Sequence, residues 1–171
     1  MRSERQRWLR RVGLRWLLAG MLLAAWAPSA LAGGVAVVVH QSVSVDDLTL
    51  AELRRIMLAD RQFWATGAPI TVIVRAPVAP ERTILLERVY RMSEARYREY
   101  WVAKVFRGEA SDGPRVVLSN EEALDLVGVI AGSITAVDAD DVPAGLKVLK
   151  IDGFLPGEAG YPLAAEPAQR K

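Results

Sequence analysis

The chain has 171 residues, 51% of them apolar, which is enough for one ordinary domain with a hydrophobic core but not for two. It contains no cysteine, which excludes disulfides, a thiolate nucleophile and cysteine metal sites. Its 22 basic and 20 acidic residues almost balance, and their distribution along the chain is more informative than the total.

Residues 1–32 have the organisation of an export signal. A basic segment, MRSERQRWLRRVG, precedes the apolar run LRWLLAGMLLAAWAP, and Ala30 and Ala32 form an A-x-A cleavage site. The alternative is an uncleaved single-span anchor, for which the apolar run is short. The pair Arg10-Arg11 leaves the route open between general secretion and twin-arginine export. We therefore predict a periplasmic or secreted protein with no membrane span after cleavage.

Removal of this signal changes the charge of the chain. The signal carries six arginines and one glutamate, so 16 basic and 19 acidic residues remain and the formal charge becomes about −3. The basic isoelectric point therefore belongs to the signal. The mature sequence has no basic patch with interleaved aromatic residues, so it does not indicate a nucleic-acid partner.

The first predicted elements of the mature chain are a strand and a helix. GGVAVVVHQS is a continuous apolar run rich in valine, which is typical of a strand buried on both faces. In LTLAELRRIML, Thr49 and Glu52 form an S/T-x-x-E capping box, with Leu48 and Leu53 as its hydrophobic staple. The sequence therefore predicts a helix that begins after Thr49.

Further strands and helices alternate along the rest of the chain. ITVIVR is predicted as a strand, APVAP as a loop and ERTILLERVYRM as a helix with Pro80 in its first turn. Ser93 caps EARYREYWVAKVF, which Gly108 ends. RVVL is a short strand, and Ser119 with Glu122 forms a second capping box before EEALDLVGVI. GSITAVD and LKVLKI are the last predicted strands.

This alternation predicts the fold class and the domain limits. Strands that alternate with helices indicate an α/β fold with a mostly parallel sheet and helices on both faces. We place the domain at residues 33–152. The remaining segment, 153–171, is rich in Pro, Gly and Ala and is predicted to be a flexible tail.

The residues do not indicate catalysis or metal binding. The single histidine, His40, has no recognisable partner, and no G-x-S-x-G sequence is present. Asp46-Asp47 and Asp138-x-Asp140-Asp141 lack the pattern of a calcium loop, which favours aspartates that form turns over a cation site. The helical spacing of Tyr97 and Trp101 favours core packing. We predict a protein that is not an enzyme and has no cofactor.

Three segments resemble the phosphate-type periplasmic substrate-binding proteins. LTLAELRRIMLADRQFWATGAPITVIVR resembles their S/T-L-x-x-E-L-x-x-I-F helix followed by a W-x-x-G-x-P-I turn and strand. MSEARYREYWVAKVFRG resembles the M-S-x-x-x-x-x-x-W-x-x-x-x-F-x-G helix of small members, and RVVLSNEEALDLVGVIAGSITAV resembles their closing segment. The likeness covers about residues 35–150. It implies a type II periplasmic-binding-protein fold, of which this chain supplies one lobe.

The resemblance also implies a ligand site, from which this chain departs. Arg75 matches an arginine that is followed in the family by a loop rich in Ser, Gly and Thr, which binds the oxyanion at a helix N-terminus. Here the loop 76–80 reads APVAP, which offers no hydroxyl and lacks two N–H donors. Ala79 replaces the serine of an expected S-P-x-R, and Glu81 places a negative charge where phosphate would approach. Arg82 and Thr83 are the remaining candidate ligand groups.

Two functions stay open at this stage. In the first, the chain is an exported substrate-binding-protein-like module that binds phosphate or another small oxyanion through Arg75, Arg82 and Thr83, in the setting of an ABC transporter. In the second, a protein-interaction module has kept the fold and lost anion binding, and it docks on an inner-membrane transporter or sensor protein.

Overall fold

A computed structural model of the chain describes residues 34–165. The predicted signal at 1–32 and the end of the predicted tail, 166–171, lie outside the described residues. In chain order the elements are β1 (Val35–Val39), β2 (Asp47–Leu48), α1 (Leu50–Met57), β3 (Thr71–Arg75), α2 (Pro80–Ile84) with a π-helical continuation (Leu85–Tyr90), α3 (Glu94–Phe106), β4 (Arg115–Val117), α4 (Asn120–Val129), β5 (Ser133–Asp138), a 3₁₀ turn (Ala139–Asp141), β6 (Lys147–Val148) and β7 (Lys150–Ile151).

A five-stranded sheet in the order β4-β3-β5-β1-β6 forms the centre of the domain. The strands β3, β4 and β5 are parallel to one another, whereas β1 is antiparallel to both of its neighbours. Four of the five strands therefore run in one direction, which confirms the predicted α/β class with a mostly parallel sheet. A separate parallel pair, β2 and β7, was not predicted because each strand has only two residues.

Helices cover both faces of this sheet, as predicted. On one face Val35, Val37 and Val39 of β1 pack in a cluster with α1, the π-helical segment and α3. On the other face Ala36 and Val38 pack in a second cluster with α4. The five β1 residues are all buried because alternate side chains point into the two clusters. None of the helices within residues 34–165 is long and apolar enough to cross a bilayer.

The helix α1 begins where the sequence predicts. The Thr49 side chain accepts a hydrogen bond from the Glu52 N–H, and the Glu52 carboxylate accepts one from the Thr49 N–H at 2.9 Å, so both halves of the capping box are present. The hydrogen bond from the Thr49 backbone, followed by that from its hydroxyl, holds the pKa of Glu52 below its usual value. Leu53 and Met57 face the core.

The predicted second capping box forms only in part. Ser119 accepts a hydrogen bond from the Glu122 N–H at 3.0 Å and caps α4 as expected. The Glu122 carboxylate, however, accepts from the N–H of Leu118 rather than from that of Ser119, at 2.8 Å. The reciprocal bond is thus displaced by one residue, to Leu118, which directly follows β4.

Packed structure continues beyond residue 152, where the sequence analysis ended the domain. Tyr161 and Leu163 are buried in the cluster that contains β1. The Tyr161 hydroxyl donates to the Val35 carbonyl at 2.7 Å, and the Val35 N–H donates to the Leu163 carbonyl at 3.1 Å. Burial of the Tyr161 ring raises the pKa of its phenol well above the usual value. The Pro- and Gly-rich composition of this segment gave no indication that Tyr161 and Leu163 are buried.

Candidate functional site

A cavity of about 530 Å³ lies at the carboxyl end of the parallel strands. Arg75 ends β3, Ser119 and Asn120 follow β4 at the start of α4, and Asp141 follows β5, and all four residues line the cavity. The strand β3 lies between β4 and β5, so the strand order reverses at this point. Such a reversal in an open α/β sheet forms a crevice in which ligands bind. The position of Arg75 therefore makes this cavity the candidate site.

Arg75 is paired with a carboxylate of its own chain. Its Nε lies 3.7 Å from Glu81 Oε2, and the two side chains are only 12% and 7% exposed. The two groups form an ion pair, but 3.7 Å is too long for a hydrogen bond. Arg75 Nε and Nη1 and Glu81 Oε2 are buried and have no hydrogen-bond partner. Glu81 thus supplies a negative charge to Arg75 from within the fold, although it leaves two of the guanidinium nitrogens without acceptors.

Asn120 holds Glu81 in this position. Its Nδ2 donates to Glu81 Oε1 at 2.6 Å and to Asp141 Oδ2 at 2.7 Å, so one amide connects two carboxylates from different parts of the chain. Glu121 and Asp125 of α4 also line the cavity, together with Asp141. Among the described residues that line it, Arg75 is the only cation, against three carboxylates. The field in the cavity therefore repels a free anion.

Arg82 lies outside the lining of this cavity and has a structural environment. Its Nε and Nη2 donate to both carboxylate oxygens of Glu94, at 3.0 and 3.1 Å, and its guanidinium carbon lies 4.1 Å from the centre of the Tyr97 ring. The residue is only 3% exposed. Burial raises the pKa of the Tyr97 phenol, and the charge of Arg82 opposes that shift. Arg82 therefore connects α2 to α3 within the core.

Thr83 and the loop before it offer few donors to a ligand. Thr83 is exposed, does not line the cavity, and its hydroxyl donates to the Ala79 carbonyl of its own helix at 3.4 Å. Ala79 occupies the N-cap of α2 with no side-chain hydrogen bond, as expected from the missing serine. Val78 at the loop tip is 98% exposed and has a φ of 70°, a conformation that a β-branched residue rarely adopts. Of the three predicted ligand residues, only Arg75 lines the cavity.

The other polar clusters singled out in the sequence have local structural roles. His40 Nδ1 contacts the backbone and hydroxyl of Ser42 at 3.0 and 2.8 Å. Asp46 pairs with Lys147 at 2.6 Å, and Asp138 accepts a hydrogen bond from the N–H of Asp140. Among residues 34–165 no group of three His, Asp or Glu side chains is placed to hold a metal ion.

Sequence reasoning missed two residues of the site. Asn120 lies 39 residues from Glu81 and 21 residues from Asp141 in the chain, so no local motif connects the three. A topological signal was nevertheless present, because both residues follow predicted strands and the carboxyl ends of parallel strands meet at one edge. Glu81 was identified as a charge that would repel phosphate, but its pairing with Arg75 was not predicted.

The fold is similar to that of several solved phosphate-binding proteins. One is assigned as a phosphate ABC transporter substrate-binding protein from Clostridium perfringens and was solved with bound phosphate; it has a TM-score of 0.59 and 21% identity over 74% of this chain and 48% of its own. An ABC-type phosphate transport receptor from Vibrio cholerae has a TM-score of 0.58 and 20% identity over 74% and 49%. PstS from Borrelia burgdorferi has a TM-score of 0.57 and 16% identity over 72% of this chain and 49% of its own.

These similarities concern the fold. The chain spans about half the length of the solved structures that it matches. No protein-family model matches the chain, and no curated protein has a significantly similar sequence. The predicted resemblance to type II substrate-binding proteins is thus confirmed for the fold, and the neighbours are binding proteins rather than enzymes.

Proposed function

We propose that this chain is an exported, non-enzymatic interaction module built on one lobe of the substrate-binding-protein fold, and that its Arg75 cavity does not take a free oxyanion. One observation supports the proposal above all others. The Glu81 carboxylate is 5% exposed, is held by Asn120, and lies against the one arginine of the cavity. An incoming oxyanion must displace or tolerate this internal carboxylate.

The surrounding charges strengthen the same argument. Phosphate at neutral pH carries one or two negative charges, and it would enter a cavity lined by Glu121, Asp125 and Asp141 in addition to Arg75. A pair of like charges separated by several ångströms at a protein surface costs on the order of 1–4 kcal/mol. A single arginine that already faces a carboxylate offsets only part of that cost. The partner that we propose instead is a protein, such as an inner-membrane transporter or sensor.

A second candidate function has one observation in its favour. Arg75 Nε and Nη1 have no hydrogen-bond partner, and they belong to a residue that lines a cavity at the carboxyl end of the sheet. In this alternative Arg75 binds phosphate or another small oxyanion, and the chain delivers it to an ABC transporter. The solved C. perfringens neighbour with bound phosphate makes phosphate the first ligand to test.

Thermal unfolding in the presence of anions separates the two candidates. A ligand that binds only the native state at about 100 times its Kd adds roughly 2.7 kcal/mol to the free energy of unfolding and raises the melting temperature by several degrees. We expect no rise for the wild-type protein with millimolar phosphate or sulfate. We expect Glu81→Gln, which removes the competing charge with little change of shape, to be the variant that gains a phosphate-dependent rise. A wild-type rise that Arg75→Gln abolishes would establish the oxyanion function instead.

A further inference from the structure

A second cavity is lined by arginines and lies on a different part of the surface. Its volume is about 420 Å³, and it shares no lining residue with the Arg75 cavity. It lies between the end of α1 and the start of α3. Its lining consists of Arg54, Arg91, Met92, Arg96, Glu99 and Tyr100.

Three separate elements bring the arginines to this cavity. Arg54 lies in the last turn of α1, Arg96 lies in the first turn of α3, and Arg91 ends the π-helical segment between them. Arg91 has a φ of 54°, in the left-handed conformation that usually selects glycine or asparagine at the end of a helix. An arginine at this position is a costly way to end a helix, and it brings a third guanidinium to the cavity.

The charge of this cavity is not compensated within the fold. In the part of the chain that the structure describes, none of the guanidinium groups of Arg54, Arg91 and Arg96 has an ion-pair or hydrogen-bond partner. Glu99 is the one acid in the lining, so the formal charge there is +2. This local excess contrasts with the formal charge of about −3 expected for the mature chain.

Two exposed apolar side chains lie further along α3, on the side of the helix that Glu99 shares with them. Val102 and Phe106 follow Glu99 at helical spacings of three and seven residues, so the three lie on one side of the helix. Val102 is 71% exposed and Phe106 is 90% exposed. Residues four apart are neighbours on a helix surface, so Val102 and Phe106 form a small exposed apolar patch, and contiguous apolar patches mark protein-binding surfaces. The helix therefore presents a basic end and an apolar end within about 15 Å.

We infer that this face of α3 binds an acidic segment of a partner protein, whose carboxylates pair with Arg54, Arg91 and Arg96 and whose apolar side chains cover Val102 and Phe106. The inference rests on the proposed interaction function and names the chemistry of its partner. Guanidinium groups pair with carboxylates in a planar, two-pronged geometry. A single free anion in this open cavity would stay hydrated and gain little, whereas several carboxylates on one chain bind together.

Fluorescence anisotropy with a defined peptide tests the inference. The probe is a fluorescein-labelled peptide of repeating Asp-Glu-Leu-Asp-Glu-Phe, and its control is the same peptide with Asn and Gln in place of the acids. We expect the wild-type protein to bind the acidic probe, with an affinity that falls as salt is added, and not to bind the amide control. The triple variant Arg54→Gln, Arg91→Gln, Arg96→Gln should weaken binding by about tenfold or more.

Matched variants on the same helix keep the test specific. Arg96→Gln and Arg98→Gln each remove one charge from an exposed position of α3, the first inside the cavity lining and the second outside it, and Arg98→Gln should change the affinity less than about twofold. Phe106→Ser should lower the affinity for the acidic probe while leaving the salt dependence of that binding unchanged. Equal losses in Arg96→Gln and in Arg98→Gln would show non-specific attraction and overturn the inference. Arginine-dependent binding of phosphatidylglycerol vesicles or tripolyphosphate without binding of the peptide would also overturn it.

The failure of this inference differs from failure of the proposed function. Peptide binding that Arg75→Gln abolishes and the triple variant retains would move the partner to the first cavity, and the interaction function would still stand. A phosphate-dependent rise in the melting temperature that Arg75→Gln abolishes would refute the proposed function, whatever the peptide does, since the triple variant leaves Arg75 and Glu81 in place.

Discussion

The Arg75–Glu81 pair can be tested by a double-mutant cycle. Arg75→Gln leaves the Glu81 carboxylate buried without its cation, and Glu81→Gln leaves the guanidinium buried without its anion. Glutamine approximates the length and polarity of glutamate and can still accept the hydrogen bond from Asn120. The double variant removes both charges. The cycle therefore isolates the interaction between the two charges from the cost of changing each side chain.

The structure sets the size of the expected effect. Two unit charges 3.7 Å apart attract each other by about 4–5 kcal/mol at an effective dielectric constant of 20, before the cost of removing them from water. Loss of one partner from a fully buried pair costs about 3–5 kcal/mol. Because Arg75 keeps some exposure and no hydrogen bond joins the pair, we expect each single variant to lose about 2–3 kcal/mol. The coupling energy should be about 1–2 kcal/mol.

Urea unfolding followed by circular dichroism provides the four free energies of unfolding, with equal m-values as the check that unfolding stays two-state. We expect the double variant to be more stable than the sum of the two single losses implies. A coupling energy below about 0.5 kcal/mol would refute the reasoning. The charge of Glu81 would then contribute little to the stability of Arg75, and Arg75 would be available to a ligand. The oxyanion alternative requires this condition.

Three further predictions concern the frame around the sites. Ala79→Ser should raise the free energy of unfolding by about 0.5–2 kcal/mol in the same urea assay, because the N-cap of α2 has extended backbone angles and no side-chain bond. Gly132→Ala should lower it by at least about 1–3 kcal/mol, because the glycine has a φ of 76° and a new Cβ would lie 2.4 Å from the Pro69 carbonyl oxygen; an unchanged melting temperature would contradict this. Glu52→Gln should be less stable than wild type at neutral pH, since hydrogen bonds from Thr49 lower the pKa of Glu52; the difference should begin to shrink as the pH falls below the unfolded value of 4.5 and should vanish only below the lower pKa of the folded state.

The main elements of the fold could be predicted because their signals are local. The valine run of β1, the capping residue Thr49 and the helical spacing of Tyr97 and Trp101 each need only a few neighbouring residues, and all appear in the structure. The π-helical form of residues 85–90 was not predicted, since its pattern of apolar residues does not differ enough from that of an α-helix.

The site could be predicted only in part, because its contacts join distant segments. Arg75 was placed at the strand end, and the loop after it was expected to lack donors. The partner of Arg82 could not be read from the sequence, since a bidentate bond to Glu94 depends on how α2 turns toward α3. The same limit applied to Asn120, which reaches Glu81 across the sheet edge.

The two groups of arginines differ in what they leave available to a partner. A buried cation such as Arg75 or Arg82 requires a counter-charge inside the fold, and Glu81 and Glu94 meet that requirement in the structure. A cation that reaches solvent has water instead, so the half-buried Arg54 and the exposed Arg91 and Arg96 can remain unpaired at little cost. An external carboxylate therefore gains more at the second group, because it displaces only water there, whereas at Arg75 it must compete with Glu81. If the partner binds the face of α3 and not the Arg75 cavity, peptide binding should depend on Arg54, Arg91 and Arg96. Any phosphate-dependent rise in the melting temperature, as in Glu81→Gln, should depend on Arg75 instead.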